Sequence, residues 1–360
     1  MSILLAFNAV PASARTGAFS ECLAPQVVSA ISAPLAEAGL DIILCNLYSP
    51  RDLVETLSAH PNIKLALVLA EGYLKFPFTL HNGTGPAHIR RLLRALGKPF
   101  SHSGPEAMTV LRHKDITYQV LSEVGIRVPF YFKVEASLAV TNRIEQLPPP
   151  HVLPFPLFVK PAGGGASLGI DSQSIVYTPE ELERQVRKVA QSFKADVIVE
   201  EYLPGREYTI GVIGNERPTV LPILAFPPHY PIRTTQVKRS EHEQRDLFEL
   251  FTSSHPLYAP LASLAETIFR TVGAQDCIRI DLKEDQEGRP VVIDVNGTPA
   301  LAPTSSLAFV ASAAGLSYSE LINLVCGEAM LRNQIDPPPD MAAILSAAYV
   351  KLETYRQQVA

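Results

Sequence analysis

Two short runs, Ile278-Arg-Ile-Asp-Leu282 and Val291-Val-Ile-Asp-Val-Asn296, alternate apolar and polar residues and are joined by a polar stretch that contains Gly288. Period-two alternation on either side of a glycine-containing turn predicts a β-hairpin. With the turn centred on Glu287 and Gly288, residues whose numbers sum to 575 stand opposite one another. That sets Asp281 against Asp294 and Arg279 against Asn296, all on one face. Facing carboxylates repel unless a cation lies between them. Two Asp and one Asn supply the hard oxygen donors that suit Mg²⁺, an ion that keeps waters or borrows phosphate oxygens. This reading points to a nucleotide. The same residues also read as a solvated polar face, salt-bridged through Arg279.

A second set lies upstream. The run Phe158-Val159-Lys160 delivers a lysine directly before Pro161-Ala-Gly-Gly-Gly-Ala-Ser-Leu-Gly169. Glycines allow backbone N–H groups to close around phosphate oxygens, and Lys160 adds a point charge. The spacing is neither the Gly-Lys-Ser/Thr phosphate loop nor the dinucleotide GxGxxG, so a simple mobile loop stands as the alternative. Lys114 falls three residues after Leu111 and four before Tyr118, on the stripe that a helix would bury. It needs an anionic partner there, or else its stem reaches solvent from the stripe's edge. Glu200, Glu201 and Glu207 flank the turn residues Leu203-Pro204-Gly205; without context, such acids read as solvated surface.

These residues need a scaffold. Apolar runs at 3–7, 42–45 and 65–70 alternate with helical patterns at 27–38 and 53–59, which predicts βα units around a mainly parallel sheet. At Ser103-Gly-Pro-Glu106 a capping-box spacing with Pro105 near the first helical position predicts one helix ending about Gly125, and a domain boundary near 104. Strands are expected at 197–201 and 208–213. The polar segment 227–254 is too long for an ordinary connector and is expected to act as a lid. After three prolines at 337–339, a short peripheral helix closes the chain.

Composition narrows the function class. The 360 residues are 47% hydrophobic and 19% charged, which describes a folded chain with room for two or three domains. A net charge of −5 offers no general attraction to nucleic acid. No apolar run approaches the roughly 18 to 20 residues that cross a bilayer, and the opening apolar run lacks the basic flank of a signal peptide. Four scattered cysteines, Cys22, Cys45, Cys277 and Cys326, fit a reducing cytoplasm.

Taken in order, Lys114, the 160–169 loop, Val197-Ile-Val-Glu-Glu-Tyr-Leu-Pro-Gly-Arg-Glu-Tyr-Thr209, Arg279-Ile-Asp281, Asp294-Val-Asn296-Gly-Thr-Pro299 and Gly315-Leu-Ser-Tyr-Ser-Glu-Leu321 resemble the ATP-grasp superfamily. More narrowly, they resemble its D-alanine:D-alanine ligase branch, over residues 100–330. The resemblance implies an α/β (α+β) ATP-grasp fold: an N-terminal Rossmann-like domain at 1–104, a central domain at 105–200, a C-terminal domain at 201–335 and a peripheral tail at 336–360. The nucleotide would bind between the central and C-terminal domains. Lys114 and Lys160 would bind ATP phosphates, with Gly164, Gly165 and Ser167 in the loop folding over them. Glu200 and the backbone of Glu201 and Leu203 would meet adenine, and Glu207 would hold the ribose. Asp281, Asp294 and Asn296 match ligands for one or two Mg²⁺ ions, with Asp294 in place of the usual Glu. Arg279 would stabilise an oxyanion, Lys238 would touch phosphate from the lid, Glu21 would bind an amine and Ser305 a substrate carboxylate. The implied reaction joins a carboxylate to an amine through an acyl phosphate, in a homodimer.

The departures from the branch concentrate around the substrates. Ala166-Ser167 replaces a pair of serines, Arg239 replaces a tyrosine, the N-terminal signature is reduced to Gly17-Ala18-Phe19-Ser20-Glu21, and Asn296-Gly-Thr-Pro-Ala300 ends in alanine rather than glycine. Among relatives altered in this way, ligases joining an amino acid to mycosporine-glycine are similar in length and branch, and imply an acceptor changed on the same engine. The alternatives are a D-alanine:D-alanine ligase, another dipeptide or natural-product ligase, a carboxylase-type or purine-type ATP-grasp enzyme, and an ATP-binding sensor without turnover.

Overall fold

In the computed structural model, which describes residues 1–137, 148–165, 169–227 and 247–359, the described residues build three sheets in succession. The first is parallel and follows the expected alternation: β1 (Ser2–Phe7), α1 (Pro25–Glu37), β2 (Asp41–Asn46), α2 (Pro50–Ala59) and β3 (Leu65–Val68). β1 lies in the middle, pairing Ile3 with Ile42 on one side and with Leu65 on the other. Its odd residues Ile3, Leu5 and Phe7 enter the larger core, while Leu4 and Ala6 enter a second core with Leu53, Ile89 and Leu93. Burial on both faces is why this strand reads as an unbroken apolar run.

The next helices are α3 (Phe78–His81), α4 (Gly85–Ala95), α5 (Pro105–Arg112) and α6 (Lys114–Glu123). The single helix expected from Pro105 to about Gly125 is therefore two, broken where His113 takes the extended values φ −119° and ψ 105°. The capping box does not form. Gly104 is the N-cap, the Ser103 hydroxyl accepts from Gln275 N and Glu106 pairs with Arg94. The break makes Lys114 the first residue of α6, with its own N–H donated to the Ala162 carbonyl.

The second sheet is antiparallel, in the order β4 (Tyr131–Val134), β7 (Val197–Glu201), β5 (Leu157–Pro161) and β6 (Ile175–Val176), with α7 (Pro179–Phe193) on one face. Leu157, Val159, Val197 and Val199 pack against Leu182, Val186 and Val189 of that helix. Alternation then directs Lys160, Ile198 and Glu200 to the other face.

At Gly205 the chain turns into the third sheet. A Cβ there would stand 2.4 Å from Glu284 Cβ, so only glycine fits. β8 (Glu207–Ile213), β9 (Thr219–Val220), β10 (Ile223–Ala225), β11 (Glu249–Phe251), β12 (Cys277–Glu284) and β13 (Pro290–Asn296) run antiparallel in the order β11-β10-β8-β12-β13, with β9 on β8. Ile278, Ile280 and Leu282 enter the large core, leaving Arg279, Asp281 and Lys283 on the opposite face. α8 (Tyr258–Thr271), α9 (Ser306–Ala313), α10 (Tyr318–Arg332) and α11 (Pro339–Val359) complete the chain.

The last helix is neither short nor peripheral. It runs for 21 residues and buries Met341, Leu345, Ala348 and Leu352 in the same core as β1 and β12. Gly327 of α10 lets it approach: a Cβ would lie 2.6 Å from a Leu345 methyl. Among the described residues no single helix is long and apolar enough to cross a membrane; the bent pair α9 and α10 passes that test together, and most of its apolar side chains lie in or against the core here.

Candidate active site

The hairpin forms as the sequence predicts, with Asp281 opposite Asp294 and Arg279 opposite Asn296. Closer to the turn the register differs by one: Leu282 pairs with Val292 and Glu284 with Pro290. A bulge beside Asp281 absorbs the difference and leaves Ile293 as the extra residue. Its freed carbonyl lies 2.8 Å from Tyr118 Oη and accepts from Lys160 Nζ at 3.4 Å. The bulge therefore ties the hairpin to α6 and to β5 of the other sheet.

Each carboxylate of the facing pair has its own cation. Asp281 accepts from Arg279 Nε at 3.0 Å and Nη2 at 2.8 Å, and from the Thr209 hydroxyl at 2.8 Å. Asp294 lies 3.4 Å from Lys114 Nζ, which also donates to the Gly164 carbonyl at 3.0 Å. Asn296 turns its amide nitrogen toward Asp281, 3.4 Å away. Among the described residues no group of three or more His, Cys, Asp or Glu converges; the donors here are two carboxylates and one carboxamide.

Lys160 and Glu200 meet on the inner face of the second sheet, 2.8 Å apart and both buried. Tyr118 Oη stands 2.8 Å from the other Glu200 oxygen, and burial, reinforced by the Glu200 charge, pushes the phenol well above its ordinary pKa. Tyr118 had served in the sequence only as an apolar marker of the α6 stripe.

The glycine run is seated against the N-terminal part of the chain. Gly163 approaches the Asn82 backbone so closely that a Cβ would meet it at 2.8 Å, and Gly164 takes φ +82°. The Gly165 N–H donates to Glu21. Glu21 also accepts from Arg112 Nη2 at 3.1 Å, and Arg112 Nη1 lies 3.3 Å from Glu71 Oε2. Burial alone would lower the Arg112 pKa, but Glu71 and Glu21 together hold it above the ordinary value. Glu71 is raised by burial against the opposing pull of Arg112. Arg90, wholly buried, bonds Thr298 at 3.4 Å, and its pKa is lowered by burial to about 10. Sequence reading missed Arg112, Glu71, Arg90 and Thr298. Arg112 had a signal of the kind used for Lys114, since Met108, Leu111 and Arg112 follow the i, i+3, i+4 spacing of one buried stripe.

The remaining expected residues lie on other elements. The Glu201 carboxylate accepts from Phe130 N and its N–H donates to the Phe130 carbonyl, so both serve β4. Leu203 is buried beside the turn, and Glu207 opens β8 with its carbonyl accepting from Phe226 N. Ser305 is the N-cap of α9, its hydroxyl accepting from Ala308 N. Ser167, Lys238 and most of the expected 227–254 lid lie outside the described residues. Cys22, Cys45, Cys277 and Cys326 are free and buried.

The chain resembles known proteins in both sequence and fold. The family described as D-ala D-ala ligase C-terminus matches residues 120–326, more than half of the chain. A D-alanine–D-alanine ligase of Gluconobacter oxydans is 30% identical over 254 residues, covering 68% of this chain and 76% of its own length. An uncharacterized protein of Sinorhizobium fredii is 27% identical over 309 residues, covering 83% and 85%. In structure, a D-alanine–D-alanine ligase from Bacillus anthracis complexed with ATP superposes with a TM-score of 0.69 at 22% identity, over 93% of this chain and 99% of that one. From its matched sequence and its ATP-grasp fold, the chain belongs to the D-alanine–D-alanine ligase family and is an ATP-grasp ligase that forms peptide-like bonds.

Proposed function

We propose that the chain joins an amino acid such as serine or threonine to a small carboxylic acid such as mycosporine-glycine, at the expense of ATP and through an acyl phosphate. The observation that carries this reading is the convergence of Lys114, Lys160, Asp281, Asp294 and Arg279 between the inner faces of two sheets. In the first step a substrate carboxylate oxygen attacks the γ-phosphorus of ATP, the bond to the bridging oxygen breaks and ADP leaves. In the second, the amine attacks the acyl carbon, and phosphate leaves with the bonding electron pair as the nitrogen loses a proton. No enzyme nucleophile is needed; the work is positioning and charge neutralisation.

Lys114 and Lys160 would exchange their present partners, Asp294 and Glu200, for phosphate oxygens. Glu200 and the backbone near Glu201 and Leu203 would face adenine, and Glu207 the ribose. Two carboxylates and a carboxamide are the oxygen donors Mg²⁺ prefers, so Asp281, Asp294 and Asn296 fit the ion chemically, and it would supply charge neutralisation at the phosphates. Asp294, one methylene shorter than Glu, favours monodentate contact. Arg279 would stabilise the tetrahedral oxyanion, Ser305 a substrate carboxylate, and Ser167 and Lys238 the phosphates. Homodimerisation, the family expectation, is read by light scattering.

Incubation with ATP, Mg²⁺ and pooled amino acids, with and without mycosporine-glycine, should yield a new amide mass only when mycosporine-glycine is present. A second reading, favoured by the names of the relatives, is D-alanine–D-alanine ligation. D-alanyl-D-alanine formed from D-alanine alone, with no product from mycosporine-glycine, would select it.

A further inference from the structure

We propose that the acid activated at this site carries no free ammonium group: its nitrogen is acylated, conjugated or absent. The inference rests on the ligase reading and narrows its donor substrate. An ammonium taken out of water needs a carboxylate whose charge is still uncompensated, because desolvation costs several kcal/mol. Glu21, the acid that the resemblance offers to an amine, is already engaged. Its side chain is 9% exposed, one oxygen accepts from Gly165 N and the other is paired with Arg112.

The surrounding charges are matched in the same way. Arg112 also faces Glu71, and Arg90, bonded to Thr298, interacts with the Glu71 charge as well, so both Glu21 and Glu71 are met by guanidinium groups. His81, in α3 against the glycine run, has its pKa lowered by burial against the opposing pull of Glu21. A substrate ammonium against Glu21 would lie beside Arg112 and leave an excess positive charge among mostly buried side chains. An amide or vinylogous amide N–H carries no such charge and can still donate to Glu21. Arg112 thus acts as a specificity-determining residue by neutralising the acid that would otherwise attract an amine.

The test traps the acyl phosphate with hydroxylamine, whose nitrogen displaces phosphate from the acyl carbon to give a hydroxamate. ADP and hydroxamate are measured with ATP, Mg²⁺ and one donor acid at a time: glycine, D-alanine, N-acetylglycine, N-acetyl-D-alanine or mycosporine-glycine. The expected result is a kcat/KM on the order of 100-fold higher for at least one N-substituted acid than for glycine or D-alanine. Arg112→Met should shrink that preference at least tenfold by freeing Glu21, whereas Arg112→Lys, which keeps the charge, should retain it. Arg112→Met combined with Glu71→Gln provides the same readout should the single variant fail to fold. Efficient hydroxamate formation from D-alanine or glycine, at or above the N-substituted acids, would overturn this inference and leave the ligase reading intact. No ADP release with any acid would overturn both.

Discussion

Asp281 and Asp294 stand directly opposite one another between β12 and β13, one residue past a bulge, and each is neutralised from a different direction. Arg279 reaches Asp281 from two residues away on the same strand, whereas Lys114 reaches Asp294 from a helix on another part of the chain. The repulsion that facing carboxylates generate is thereby offset within the protein. The Mg²⁺ proposed for this pair would have to compete with Arg279 for Asp281 and with Lys114 for Asp294.

Removing one negative charge from this pair while keeping side-chain size should disable turnover without unfolding the chain. Asp281→Asn and Asp294→Asn are each expected to lower kcat about 100-fold or more, with a melting temperature close to that of the parent. ADP release at limiting Mg²⁺ checks this; parental rates in either variant would remove both residues from the proposed metal site.

Arg279→Ala should cost more in kcat than in ATP affinity, by about 100-fold in rate. The guanidinium is expected to act on charge that develops only in the tetrahedral state. Equilibrium ATP binding and steady-state kinetics separate the two effects. An equal loss in both would make Arg279 a ground-state contact.

The ion pair between buried Asp276 and half-buried Arg332 should contribute to holding the end of α10 on the fold. Asp276 is fully buried, takes both Nε and Nη2 of Arg332 at about 3 Å, and accepts from His102 N at 2.7 Å. Asp276→Asn leaves the arginine without its counter-charge and is expected to destabilise the chain by about 3 kcal/mol. Urea denaturation of the two proteins measures the difference.

Stability should fall on mild acidification because of His102. Burial, aided by the positive charges of Arg90 and Arg332, lowers its pKa from 6.5 to about 3. The unfolded chain takes up this proton below about pH 6.5 while the folded chain does not until about pH 3, so stability drops as pH falls through that window. The contribution is roughly 1 kcal/mol between pH 7 and 5.5. His102→Asn, which tolerates the observed φ of 62°, should lose that part of the slope. Denaturation at the two pH values shows whether the slope shrinks.

Elements whose signal is local were legible. The β-hairpin follows from period-two alternation and its turn, and β1 from its apolar run; the pairing of Asp281 with Asp294 came out of the same arithmetic even though the turn-proximal register is shifted. The break at His113 was not legible, because the residues on both sides continue a helical pattern, whereas Lys114 N bonds Ala162 O just past the end of β5. Nor was the burial of α11, whose Ala-rich sequence carries only a faint stripe until α10 supplies a surface to receive it.

The order of residue types along the chain therefore determined the family, the parallel βα sheet, the hairpin and the acids and lysines available for phosphate chemistry, since spacing along a strand or helix dictates which side chains share a face. Only the tertiary structure decided which charges neutralise which. Lys114 with Asp294, Lys160 with Glu200 and Arg112 with Glu21 are separated by 180, 40 and 91 positions, and nothing in local spacing specifies a pair brought together by the packing of separate elements.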